Sequence, residues 1–126
     1  MDIDALGEKA STIYSGQHFD QLLSDVFFEE LRLSAPDVML AVGGRRRGQQ
    51  IGELVLRLEE RFAAQRPAVV VVQGDTNTAL GGALAANALD IPLLHVEAGL
   101  RSFDRLMPEE HNRVAVDHLA DVCLAP

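Results

Sequence analysis

One cysteine, Cys123, stands among 126 residues, so an internal disulfide framework is impossible and a multi-cysteine metal site cannot be built. A reducing, cytoplasmic setting is the expectation. Basic side chains are scarce as well: 11 Lys and Arg face 19 Asp and Glu, a formal net charge of -8. A field of that sign repels phosphate backbones and anionic lipid, which sets nucleic acid and membrane surfaces aside as partners. No run approaches the roughly 18 consecutive apolar residues of a membrane span, and the opening MDIDALGEKA carries acid where a signal peptide has a basic flank and an apolar stretch. Gly-x-Gly-x-x-Gly and the P-loop are both missing, so no standard dinucleotide or ATP cradle is expected and no cofactor is implied. What remains is ordinary globular material, 48% hydrophobic and 24% charged, which argues against disorder or a coiled coil.

Periodicity divides the chain into strands and helices. Residues 11–15 read as a short strand broken at Gly16, and residues 20–33 as an amphipathic helix ended by Pro36. A second short strand, 38–42, precedes a polar loop at 43–48. Ile51, Leu54, Val55, Leu58 and Phe62 then share one face of a helix over 49–65. Residues 68–72, AVVVV, are apolar on both faces of a pleat and predict a strand covered above and below. Residues 78–89, rich in alanine and glycine, predict a helix packed closely on a sheet. A buried strand at 93–96, an aperiodic segment at 97–107, a helix from Pro108 to about residue 119 and a strand at 122–125 complete the order. Alternation with short connections implies an α/β fold: a Rossmann-like parallel sheet with helices on both faces. The chain opens in a weak strand and stops where another element is due, so a fragment is expected.

In such sheets ligands bind beyond the carboxyl ends of the strands, where helix N-termini point at the site. Asp75 follows the strand at 68–72 and Glu97 follows the one at 93–96. If those strands are neighbours, both carboxylates open into one crevice beside Arg101 and the amides of Gly74, Thr76 and Gly99. Blander readings stay open for each: Asp75 as a helix N-cap, Glu97 as a solvated loop acid. His95 and Glu97, two apart on a strand, should leave the same face, with His95 either a core residue or a base. Glu109 and Glu110 suit the dipole of a first helical turn and reach Arg113 at i+4 and i+3. His111 and His118 are seven apart instead of four, so a metal site is rejected. Arg45, Arg46 and Arg47 are either a solvated run or a contact for a sugar-nucleotide phosphate.

Three motifs in order carry a resemblance: Gly74-Asp75-Thr76-Asn77-Thr78, His95-Val96-Glu97-Ala98-Gly99-Leu100-Arg101-Ser102, and Met107-Pro108-Glu109-Glu110-His111-Asn112-Arg113. With Ser15-Gly16-Gln17-His18-Phe19-Asp20 and Ser24-Asp25-Val26-Phe27-Phe28-Glu29-Glu30-Leu31, they resemble the non-hydrolysing UDP-N-acetylglucosamine 2-epimerases from about Ser11 onward. The resemblance implies two Rossmann-like domains across a cleft, as in one large class of glycosyltransferases, with this chain as most of the N-terminal one. It implies interconversion of UDP-N-acetylglucosamine and UDP-N-acetylmannosamine by C2 deprotonation, UDP loss and re-addition, commonly in a homodimer. Asp75, Glu97 and Glu109 match the acid/base carboxylates, with Asp75, Glu97, Arg101 and Arg113 as substrate-binding positions. Gln17 and His18 match a region contacting a second, regulatory UDP-sugar in some bacterial members; Asp20 and Glu53 replace the Gln and Arg those members carry. The family's opening strand with its Gly-Thr-Arg-Pro-Glu turn is missing, as is the UDP-binding second domain, so the piece alone is expected to turn over negligibly. Two other functions fit the residues: the acceptor-side domain of a glycosyltransferase, and a non-catalytic truncated sugar-nucleotide-binding module.

Overall fold

Backbone pairing in the computed structural model, which describes residues 10–17 and 36–126, is parallel throughout the two sheets. The chain divides into two compact units, Met1–Gly44 and Arg45–Pro126. The helix expected over 20–33 lies outside the described residues.

In the first unit, β1 (Ile13–Tyr14) pairs with β2 (Val38–Met39), Ile13 opposite Val38. Regular pairing covers only part of the expected 38–42, although the amides of Leu40 and Val42 still donate to Tyr14 O and Ser15 O at 2.9 Å; between them Ala41 takes a left-handed φ of 51°, which interrupts the pleat. Gly16 has φ 63°, and a Cβ there would come within 3.2 Å of the Ala41 Cα. The turn read from Gly16 thus has a steric reason.

The second unit starts with α1 (Arg47–Gln65). It begins two residues before the sequence reading because the Gln49 side chain accepts the Arg46 amide at 3.4 Å and closes the first turn early. Arg66 ends the helix at φ 50°, its amide returning to Phe62 O at 2.8 Å. Leu54, Leu58 and Phe62 form the buried stripe, joined by Gln50. β3 (Val70–Gln73) leads through a turn into α2 (Asn77–Ala88), then β4 (Leu93–Val96), α3 (Pro108–Leu119) and β5 (Val122–Leu124). The sheet order is β3-β4-β5. Val70 faces Leu93 and Val72 faces His95 across the first ladder, so these four share the buried side of the sheet.

α2 packs on that side and against α1. Its small residues are what bring the layers close: a Cβ on Gly81 would sit 2.6 Å from the Leu54 Cβ, and one on Gly82 would sit 3.0 Å from Val72 Cγ1. Gly81→Ala should therefore force α1 and α2 apart and cost about 1–3 kcal/mol, the usual penalty of overpacking. A urea midpoint unchanged from wild type would contradict the close helix contact.

The second face of β3 carries no described helix, and the helix expected over 20–33 lies outside the described residues. Val69 and Val71 are 48% and 41% exposed, so the strand is covered on one face among the described residues, not on both. The residues are apolar all round because the sequence carries a buried-strand pattern, but every described helix that packs on β3 does so from the Val70 and Val72 side.

Candidate active site

The parallel ladder that pairs Gln73 with Val96 sets the two loops of the carboxyl edge side by side. Gly74 donates its amide to Val96 O at 3.0 Å, so the residues that follow, Asp75 and Glu97, leave adjacent strands at the same level. Glu97 Oε1 accepts from Gln73 Nε2 at 3.0 Å, and Glu97 Oε2 lies 3.5 Å from where a Gly74 Cβ would be. The Glu97 carboxylate thus folds back over the turn that carries Asp75. The structure places both residues at the carboxyl edge of adjacent strands, with Glu97 against the turn that Gly74 and Asp75 form.

Glu97 does not share a face with His95, as the two-residue spacing predicted. His95 is fully buried, whereas Glu97 is exposed beside Gln73. The reason is backbone: β4 ends at Val96 and Glu97 adopts φ 65°, so the alternation of the pleat is broken one residue before it would apply. A non-glycine residue in this region carries about 1–2 kcal/mol of strain, a cost typically found where a side chain must be aimed.

Asp75 is not the N-cap of α2. Thr76 holds that place, its Oγ1 accepting from the Ala79 amide at 3.2 Å. Asp75 instead pairs through Oδ2 with Arg113 on α3, an ion pair in which Asp75 stays 33% exposed. The carboxylate is oriented yet open to a ligand. Arg113 also reaches Glu110 at 3.2 Å, so the i+3 pairing forms. The i+4 option does not: Glu109 is exposed and has no hydrogen-bond or ion-pair partner among the described residues. Four residues before Arg113, Glu109 sits on the same helix face, about 6 Å along the axis. The face that meets Asp75 therefore presents Glu109 as well.

Behind these acids lies polar packing that sequence reasoning missed. Asn112, 1% exposed, accepts from Arg47 at 2.6 Å and donates to the Asp75 carbonyl at 2.9 Å and to Asn77 Oδ1 at 3.1 Å. Asn77 in turn donates to buried Gln50 at 2.8 Å. Arg47 is thus tied into the support of the Asp75 turn, more than either sequence reading of the arginine run foresaw. The available signal was spacing: Asn112 precedes completely buried Val116 by four residues and must share its inward face.

Glu110 closes the loop 97–107 from the helix side. It accepts from the amides of Ser102 and Phe103 at 2.9 and 3.1 Å and from Ser102 Oγ at 3.1 Å. The Ser102 amide, foremost, holds its carboxyl below the ordinary value of 4.5, with Phe103, Ser102 Oγ and Arg113 adding to the effect against burial. Asp117, seven residues on, faces the same loop. Burial pushes its carboxyl up, but hydrogen bonds from Arg101, His95 and the Gly99 amide outweigh that and set it below 3.8. Both are ionised acceptors at neutral pH. His95 is the satisfied core residue of the two options, with Nδ1 2.7 Å from Asp117 Oδ1 and Nε2 donating to Gly74 O at 2.8 Å. Arg101 is bound to Asp117 Oδ2 at 2.6 Å and donates to Leu100 O, with its side chain 28% exposed. Glu110, Arg113 and Asp117 recur at i, i+3 and i+7, a polar stripe at core spacing in a helix whose buried residues are Glu110, Asn112 and Val116.

Of the regulatory positions, Gln17 lies in the first unit with its amide on Ser15 Oγ at 3.2 Å. His18 and Asp20 lie outside the described residues. Glu53 forms an i,i+4 ion pair with Arg57.

The family model described as UDP-N-acetylglucosamine 2-epimerase matches residues 3–126. The UDP-N-acetylglucosamine 2-epimerase of Methanococcus maripaludis is 47% identical over 119 residues, covering 94% of this chain and 32% of its own length. The crystal structure of the Methanocaldococcus jannaschii UDP-GlcNAc 2-epimerase with UDP-GlcNAc and UDP superposes with a TM-score of 0.86 at 49% identity, over 90% of this chain and 32% of that one. A UDP-2,3-diacetamido-2,3-dideoxy-D-glucuronate 2-epimerase of Pseudomonas aeruginosa is 44% identical over 114 residues, 90% of this chain and 32% of its own length. The chain therefore spans about a third of the relatives it matches. Across nearly all of that third, sequence and fold agree, and the chain belongs to the UDP-N-acetylglucosamine 2-epimerase family.

Proposed function

We propose that these residues are the N-terminal Rossmann-like domain of a cytoplasmic, homodimeric UDP-N-acetylglucosamine 2-epimerase whose second domain supplies most contacts to UDP. The intact protein interconverts UDP-N-acetylglucosamine and UDP-N-acetylmannosamine, and the 126 residues alone have negligible turnover. The reaction is redox-neutral and needs no cofactor. A carboxylate takes the C2 proton, the C1–oxygen bond to UDP breaks, and a C1=C2 glycal remains. UDP then re-forms the C1 bond while a second acid delivers a proton to the opposite face of C2.

Asp75, Glu97 and Glu109 are the acid/base groups in this reading, and Arg101 and Arg113 bind substrate and offset the charge that develops as UDP leaves. The observation that supports it best is the placing of Glu97 against the Gly74 turn that carries Asp75, with Glu109 one helical turn from Asp75's partner Arg113. Glu109, exposed and without a partner among the described residues, is open to a ligand.

The intact protein incubated with UDP-N-acetylglucosamine should give a mixture of the two C2 epimers without any added acceptor. Sugar transferred to an acceptor with no epimer formed would favour a glycosyltransferase instead. The diacetamido-glucuronate nucleotide belongs in the same assay, because the Pseudomonas relative named for it is nearly as similar.

A further inference from the structure

One carboxylate grips the chain on both sides of Glu97. Asp117 Oδ1 is 2.7 Å from His95 Nδ1, and its two oxygens accept from the Gly99 amide at 3.3 and 3.1 Å. Oδ2 also holds Arg101 at 2.6 Å. Residues two before, two after and four after Glu97 are thus tied to a single side chain, itself only 11% exposed. Between these ties, Ala98 is 2% exposed and donates its amide to Leu124 O at 3.0 Å. Such bracketing is what a left-handed glutamate requires, because without it the backbone relaxes to an extended conformation and the side chain swings away. The far end of the same chain of bonds, His95 Nε2 on Gly74 O at 2.8 Å, fixes the turn over which the Glu97 carboxylate lies and from which Asp75 projects.

We propose that Asp117 is a positioning residue for Glu97: its carboxylate clamps the backbone on either side of Glu97 in the left-handed conformation that aims that side chain over Gly74, in register with Asp75. Asp117 touches no reacting atom and works through Glu97. The inference rests on the proposed acid/base role of Glu97 and extends it to a residue on another element. Loss of the clamp lowers kcat more than it raises KM, since Glu97 is displaced while the proposed substrate-binding Arg101 loses one of its two ties.

A double-mutant cycle in the intact enzyme separates positioning from a general structural effect. Asp117→Asn keeps the shape of the side chain but replaces one accepting oxygen by an amide nitrogen, which cannot receive the His95, Gly99 and Arg101 donors together. In the wild-type background it should lower kcat at least about tenfold with KM within about threefold; in the Glu97→Gln background the further loss should stay under about threefold, because residues acting as one unit are non-additive. Equal factors in the two backgrounds, or no loss of kcat in the first, would overturn the role of Asp117. Full activity of Glu97→Gln by itself would overturn both that role and the underlying reading of Glu97, so the two failures are distinguishable. Should Asp117→Asn fail to accumulate as folded protein, Asp117→Glu, which keeps the charge and displaces it by one methylene, enters the same cycle under the same criteria.

Discussion

Replacing Glu97 by Gln, Asp75 by Asn or Glu109 by Gln in the intact enzyme is expected to lower kcat by about 100- to 10,000-fold, with KM moving by less than about threefold. Each amide keeps the volume and much of the hydrogen bonding of the acid it replaces but cannot take or give the C2 proton. Glu97→Gln retains an oxygen for Gln73 Nε2, so the loss would report on proton transfer and not on loop geometry. Asp75→Asn also weakens the pairing with Arg113. With Asp75 one-third exposed, that pair contributes at most about 1 kcal/mol to stability, and folding should survive. Glu109→Gln is the cleanest of the three, because no partner among the described residues loses a contact. A substitution that raises KM at constant kcat would reassign its residue to ground-state binding.

The second large effect is structural. Asn112→Ala should destabilise the protein by about 2–4 kcal/mol, as the Asp75 carbonyl and the Asn77 side chain lose their donor in a buried setting and a small cavity is left. Asn112→Asp distinguishes the arms of the network. It keeps the acceptor used by Arg47 but turns an oxygen toward two oxygens, so it should cost at least as much as alanine. Urea midpoints for the two variants read this directly. A midpoint for Asn112→Asp equal to that of wild type would mean that the bonds to the Asp75 turn carry no weight.

How far the sequence revealed all this depended on the range of the interactions. β4 and α3 fall where periodicity and Pro108 put them, because a buried apolar run and a proline at the first helical turn are local signals. The neighbouring of Asp75 and Glu97 was conditional on the strands being adjacent, and the parallel ladder from Val70 to Gln73 supplies that condition. Local rules failed where a distant residue intervened. Period-two alternation put His95 and Glu97 on one face, but ties from Asp117, a residue on another element, change the backbone at Glu97. The cap preference of Asp at Asp75 lost to Thr76, leaving the carboxylate to meet Arg113, 38 positions away in sequence. Asn112 drew no notice as a candidate for the same reason: its partners Arg47 and the Asp75 carbonyl are 65 and 37 positions distant. Within the apolar strand at 70–73, the valine at position 71 is exposed among the described residues, and the helix expected over 20–33 lies outside them, so the apolar pattern marks which residues are able to be covered.

The most direct test of the proposed shared acid/base site is the isotope at C2 of the sugar. With the intact enzyme in deuterium oxide, both epimers recovered at equilibrium should carry a deuteron at C2, since a proton taken by one carboxylate and replaced by another mixes with solvent. The Glu97→Gln, Asp75→Asn and Glu109→Gln enzymes should incorporate it at rates reduced in step with kcat. Epimers that form with their original C2 hydrogen retained, or exchange at the wild-type rate in all three variants, would contradict the account.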